Sequence, residues 1–242
     1  MPPRFLSPVP QEDLRAIWNY LDAHSYGKAP YPLAKNYYRK KVGEGVSQCF
    51  GIVGKRWLPP DFSRQSWLHP ELHHLLMKFA EKHVPVPFTS IQVNCNFPCN
   101  PHKDVGNLGE SYIVGFGSYR GGSLCVENAD YNISYRGLLF DGSQLTHWTK
   151  PWVGDRYSLV FHTIAPKERF GGIVPSLENF EAIYDEEWKI RRKSDGRVIT
   201  RKDPLPWYGR KKLIPTHIPY PPCPSPEPSA VEEAPFPLPS HI

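Results

Sequence analysis

Apolar residues recur at helical spacing in two places: Leu14, Ile17, Trp18 and Leu21 within Gln11 to Leu21, and Leu72, Leu75, Leu76 and Phe79 within Pro70 to His83. Positions three and four apart share one face of a helix, so both segments are expected to be amphipathic helices. Between them, Cys49 to Val53 reads as a short strand, with Gly45 shortly before it and Gly54 directly after. From Thr89 to Thr163 the pattern changes to β-branched or aromatic runs separated by turn residues. The runs are Ser90 to Asn96, Ser111 to Phe116, Ser123 to Glu127, Tyr135 to Phe140, Gln144 to Trp148 and Arg156 to His162. Strands this closely spaced suit a two-sheet antiparallel sandwich or jelly roll, and leave no room for the crossover helices of a parallel sheet. A further helix is expected near Leu177 to Tyr184.

The expected fold class is therefore mainly β with flanking helices. A length of 242 residues, 40% of them hydrophobic, favours one core with appendages. The expected organisation is a support region over 1-88 belonging to the same domain, a catalytic core over 89-166, a basic extension over 167-215 and a proline-rich tail over 216-242. The 28 prolines and 18 glycines favour turns over a helical bundle. In the tail, PYPPCPSPEPSAVEEAPFPLPSHI, they predict a disordered or polyproline-like segment.

Five cysteines without a CxxC pair argue against a disulfide framework and a zinc ribbon. No apolar stretch approaches the roughly 18 residues of a membrane span, and MPPRFLSPVP has no signal-peptide core. The expectation is an unsecreted intracellular monomer, in nucleus or cytoplasm, with no membrane partner. The formal charge of +5 is local: Lys189 to Lys212 holds ten basic and two acidic residues, a net +8 against −3 for the remainder. Such a stretch suits either a phosphate backbone or plain solvation. Trp207 and Tyr208 within it offer stacking surfaces, and Tyr37, Tyr38, Arg39, Lys40 and Lys41 form a second candidate patch.

His102 and Asp104 stand two apart in NCNFPCNPHKDVGN, just after an expected strand, so both face the same way. His147, in QLTHWTKP, lies on an expected neighbouring strand. Two histidines and one carboxylate make a facial triad, the ligand set of non-haem iron(II) centres with open positions for other ligands. An HxD pair alone is a weak signal. Arg156, opening RYSLVFHT, adds to it, because alternation puts Arg156 and Ser158 on one face, where a guanidinium and a hydroxyl can grip a carboxylate. The alternative for Arg156 is a surface ion pair. His69 and His73, at i and i+4, are a weaker zinc candidate, since no glutamate follows His69 as HExxH requires. Cys95 and Cys99 are read as core or as oxidation-sensitive neighbours of the metal.

The order HxD, a GG turn (Gly121, Gly122), a distal histidine and RxS over Ile91 to Thr163 resembles the iron(II)- and 2-oxoglutarate-dependent dioxygenases. The resemblance implies a double-stranded β-helix (jelly roll) core and iron(II) on His102, Asp104 and His147. It also implies 2-oxoglutarate bound by Arg156 and Ser158 with a further contact from Asn94, and ascorbate as reductant or co-substrate. The implied reaction is hydroxylation of a substrate C–H bond, because the Asp104 carboxylate fills the position that halogenating relatives leave open. The run from His102 to Asn107 is similar to the HxD-x-x-N pattern of the TET/JBP branch, which oxidises the 5-methyl group of cytosine or thymine in DNA. That likeness implies that Asn107 binds the base; as an isolated residue in DVGNLG it reads equally as a turn-former. The chain lacks the cysteine-rich region of animal TET enzymes and carries Gly106 where they have histidine. Two alternatives stand beside the DNA reading: a hydroxylase of protein side chains or small molecules, and a non-catalytic β-sandwich binding module.

Overall fold

The computed structural model describes residues 1–24, 42–43, 45–54 and 58–199. The tyrosine and basic patch at 37–41, the basic residues from Arg201 onward and the proline-rich tail lie outside the described residues. In chain order the strands and helices are β1 (Arg4–Pro8), α1 (Gln11–His24), β2 (Val46–Val53), β3 (Asp61–Phe62), α2 (Arg64–Leu68), α3 (Pro70–His83), β4 (Ser90–Cys95), β5 (Ser111–Gly121) and β6 (Leu124–Val126). They continue through β7 (Ala129–Tyr131), β8 (Arg136–Phe140), β9 (His147–Thr149), β10 (Trp152–His162), β11 (Phe180–Asp185), β12 (Glu187–Arg192) and β13 (Val198–Ile199).

The large sheet runs β1-β8-β5-β10-β4-β2-β3, and a small sheet runs β7-β6-β9. A bridge between His102 and His147 extends the small sheet by one position. The two sheets close on a shared apolar layer in which Ile113, Leu138 and Phe140 of the large sheet meet Leu124 and Val126 of the small one. Four antiparallel large-sheet strands (β4, β10, β5, β8) facing a small sheet in this order form the double-stranded β-helix, a fold that buries both inner faces with short connections.

Alternation along each strand assigns its two faces. In β10, Tyr157, Leu159 and Phe161 point to the helices; in β4, Ile91, Val93 and Cys95 do the same. The intervening residues, Arg156 and Ser158 on β10 and Gln92 and Asn94 on β4, face the space between the sheets. Helices α1 and α3 cover the outer face through Leu14, Ile17, Leu21, Leu72, Leu76 and Phe79. Pro70 opens α3, where a missing N–H costs nothing, and Lys82 and His83 sit in its last turn, favourable to the helix dipole.

Two expectations need correction. The segment Leu177 to Tyr184 is a short 3-10 turn (Leu177–Asn179) followed by strand β11. Phe180 to Asp185 pairs antiparallel with Glu187 to Arg192, and Phe180 and Ala182 pack against the cluster of Ile52, Phe62 and Ile190. Pairing and packing override the helical spacing. The run from Gln144 becomes a strand only at His147, because Asp141 gathers the preceding residues into a turn, its carbonyl accepting from Leu145 N–H at 2.9 Å and its carboxylate from Ser143 N–H at 3.0 Å.

Candidate active site

The site lies between the sheets, in a cavity of about 170 Å³. His102 and Asp104 occupy the segment between β4 and β5, and His147 opens β9. The backbones of His102 and His147 exchange hydrogen bonds of 3.1 and 3.0 Å, which holds the two residues side by side, and Asp104 N–H donates to Gly142 O at 2.8 Å. His102 Nε2 is 3.6 Å from Asp104 Oδ1, and His147 Nε2 is 3.5 Å from Oδ2. One ligand atom from each residue falls within 4.8 Å of the others, the single such group of His, Cys, Asp and Glu among the described residues.

The other ring nitrogens fix the tautomer. His102 Nδ1 lies 2.7 Å from Asn100 O, and His147 Nδ1 lies 3.0 Å from Leu145 O. A backbone carbonyl can only accept, so Nδ1 carries a proton, which leaves Nε2 as the nitrogen available to a metal in a neutral ring. The donor set of two imidazoles and one carboxylate suits a divalent first-row metal such as iron(II).

Arg156 is 3% exposed, which excludes a surface ion pair. Its N–H donates to Asn96 Oδ1 at 2.8 Å, its Nε donates to Gly122 O at 3.0 Å, and its guanidinium lies 5.5 Å above the Tyr119 ring and 5.6 Å from that of Trp152. The buried Nη2 makes no hydrogen bond within the described chain. Burial lowers the pKa of this guanidinium from its ordinary value, while Tyr119 and Cys99 push it upward. A buried cation with an unused donor in a cavity calls for an anion. Gly122, legible in the sequence only as part of a GG turn, makes room for this arm, since a Cβ there would lie 2.8 Å from Arg156 Cδ.

Ser158 and Asn94 are register partners on β10 and β4, and Asn94 Nδ2 donates to Ser158 Oγ at 3.2 Å. The chain of hydrogen bonds continues through Ser47, which donates to Asn94 Oδ1 at 2.6 Å and accepts from Gln92 Nε2 at 2.8 Å. Gln92, Ser47, Asn96 and Tyr119 do not stand out in the sequence. The available signal for Gln92 and Ser47 is a polar residue at an inward position of a buried strand. Asn107 lines the same cavity, half-buried, and its backbone joins a turn with Asp104 and a bridge to Ile164.

The remaining candidates fall elsewhere. His69 and His73 are each 1% exposed; His69 Nδ1 meets Tyr20 Oη at 3.0 Å and His73 Nδ1 meets Ser66 Oγ at 3.4 Å. Lys189, Arg191 and Arg192 are not a solvated arm but part of β12. They pair with Asp185 (3.2 Å), Glu181 and Asp195 (3.6 Å) respectively, so local acids already offset their charge. Among the described residues no helix is long and apolar enough to cross a membrane.

No protein-family model and no curated protein matches the chain. Solved structures similar to it include NgTET1 in complex with 5mC DNA, at 16% identity over 67% of this chain and 72% of that one, with a TM-score of 0.48. An oxidoreductase of the 2OG-Fe(II) oxygenase family from Burkholderia pseudomallei is 13% identical over 66% of this chain and 82% of its own, with a TM-score of 0.42. A Pseudomonas putida prolyl-4-hydroxylase is 12% identical over 66% and 90%, with a TM-score of 0.40. At these values nothing about chemistry follows from the likeness.

Proposed function

We propose that the protein is an iron(II)- and 2-oxoglutarate-dependent dioxygenase that hydroxylates a substrate C–H bond. The observation that carries this reading is the meeting, in one cavity, of the His102, Asp104 and His147 donor atoms with the unused Nη2 of buried Arg156. His102, Asp104 and His147 would hold the iron, and Arg156, with Ser158 and Asn94 beside it, would hold the far carboxylate of the co-substrate by charge-assisted hydrogen bonds. Bound iron would supply oxygen activation coupled to decarboxylation of the oxo-acid. The protein's own contribution is positional: backbone carbonyls orient both imidazoles, and Phe97, Ile113, Leu124, Phe140 and Val160 form the apolar part of the cavity wall. The test is metal-dependent conversion of 2-oxoglutarate to succinate by the full chain. Conversion that persists undiminished in the Asp104→Ala variant would overturn the metal assignment.

For the substrate we propose the 5-methyl group of 5-methylcytosine or thymine in DNA. Asn107 supports this reading because it lines the cavity that holds the triad, where a base turned out of its helix would be read by hydrogen bonds. Its neighbours Val105 and Leu108 are 84% and 57% exposed, apolar groups suited to the gap that an extruded base leaves in the stack. The full chain is incubated with iron(II), ascorbate and 2-oxoglutarate on a panel of methylated and unmethylated DNA, RNA and peptides, and products are read by mass. An oxidised pyrimidine is expected. Product on a peptide or metabolite, with none on nucleic acid, would replace this substrate and leave the dioxygenase reading standing.

A further inference from the structure

Cys99 shares the cavity with Arg156 and precedes His102 by three residues. It is half-buried and in no disulfide, and its carbonyl accepts from Thr149 N–H at 3.0 Å, tying this segment to β9. The thiol and the Arg156 guanidinium act on each other electrostatically, and the guanidinium keeps one buried donor, Nη2, unused. Cysteine reacts with peroxide as its thiolate, and reactive cysteines stand in partly exposed surroundings beside cations. The other described cysteines lack this setting. Cys95 is fully buried, which pushes its pKa up to about 12, burial raises Cys125 as well, and Cys49 Sγ faces Phe50 O at 3.6 Å.

We propose that Cys99 is an oxidation site, and that its sulfenic acid competes with the co-substrate carboxylate for Arg156. The oxidant is hydrogen peroxide. The thiolate sulfur attacks one peroxide oxygen, an S–O bond forms, the O–O bond breaks, and the departing hydroxide is protonated to water. Sulfur loses two electrons and peroxide gains them. The new S–O group adds an acceptor oxygen to the cavity that Cys99 and Arg156 both line, and on this proposal oxidation and co-substrate binding exclude one another. The second half of this proposal rests on the role given to Arg156 above.

The experiment uses the full chain in a Cys49→Ser, Cys223→Ser background, loaded with redox-silent zinc(II) and exposed to peroxide. Sulfenic acid is trapped with dimedone and located by peptide mass, and 2-oxoglutarate affinity is measured by calorimetry before and after treatment. Dimedone is expected on Cys99 and not on Cys95 or Cys125, slowed by added 2-oxoglutarate and slowed again by Arg156→Ala. Treatment is expected to weaken 2-oxoglutarate binding by roughly tenfold. Dithiothreitol should restore it, and the Cys99→Ser protein should ignore peroxide. Labelling elsewhere, labelling indifferent to Arg156→Ala, or the same loss in Cys99→Ser would overturn the proposal. Should untreated protein bind no 2-oxoglutarate, the co-substrate reading and the competition both fall; the dimedone arm then decides the oxidation site alone.

Discussion

His69 and His73 stand one helical turn apart, whereas His102 and His147 are separated by the four strands from β5 to β8. Sequence distance favours the first pair and geometry the second. Around His69 and His73 the partners include Tyr20, Ser66, Phe50 and Phe62, which hydrogen-bond and pack the two rings inside the apolar layer between helices and sheet. Around His102 and His147, backbone carbonyls occupy the outward nitrogens, and the inward ones converge on a carboxylate in a cavity. A metal site thus needs directed lone pairs and a place for the ion as well as histidine content.

Removing the carboxylate should separate the two pairs most sharply. Asp104→Ala and His147→Ala are expected to abolish iron(II) binding and 2-oxoglutarate turnover, because each removes one of three donors. His73→Leu should leave both intact. Metal retained by the Asp104 variant, measured by elemental analysis, or lost from the His73 variant, would erase the distinction.

Arg156→Ala comes next. Truncating one partner of a buried charge-assisted pair costs on the order of 2–5 kcal/mol, so 2-oxoglutarate affinity should fall at least about thirtyfold while metal stays bound. Calorimetry on the metal-loaded protein reads both quantities. Unchanged affinity would mean that the buried guanidinium serves the fold rather than the cavity.

The helix-side pair should instead show itself in stability against pH. Burial, reinforced by repulsion from His74, lowers the His73 pKa from 6.5 to about 4. Between those values the unfolded chain takes up a proton that the folded chain refuses, so stability rises with pH through this window and is lost as the solution is acidified. The loss approaches roughly 3 kcal/mol at the lower end. Denaturant titrations between about pH 7 and pH 4 should show a smaller decline for His73→Leu than for the unaltered chain. Parallel curves would remove His73 as the source.

The same contrast explains what the sequence made legible. Period-two alternation located β4 and β10 and put Arg156 and Ser158 on one face, because a buried strand fixes the direction of every side chain. His102 and Asp104 lie in the segment between β4 and β5, where backbone hydrogen bonds to His147 and Gly142, rather than strand alternation, bring them to the cavity. Strand β11 was not readable, since its state depends on pairing with β12, a tertiary fact absent from local spacing. Nor were the ion pairs of Lys189, Arg191 and Arg192 visible in a count of charge, which ignores Glu181 and Asp185 across the hairpin. The unused donor of Arg156 and the chain from Gln92 through Ser47 to Ser158 depend on distances across three strands.

The finest test of the cavity side concerns Gly122, where backbone and side-chain effects can be separated. Its φ of 67° lies in the left-handed region, its carbonyl accepts from Arg156 Nε at 3.0 Å, and an added Cβ would sit 2.8 Å from Arg156 Cδ and 2.9 Å from Nε. Gly122→Ala therefore carries two penalties: about 1–2 kcal/mol for a non-glycine residue in this conformation, and displacement of the guanidinium arm. Gly171 has a similar φ of 73° with nothing within 4 Å of an added Cβ, so Gly171→Ala carries the first penalty alone. Both variants should lose stability in denaturant, Gly122→Ala the more of the two, and only Gly122→Ala should also bind 2-oxoglutarate more weakly, by roughly tenfold, with iron(II) binding unchanged. Equal 2-oxoglutarate affinity in the two variants would show that the close approach of Gly122 to Arg156 has no part in binding, and would leave that glycine a requirement of the turn alone.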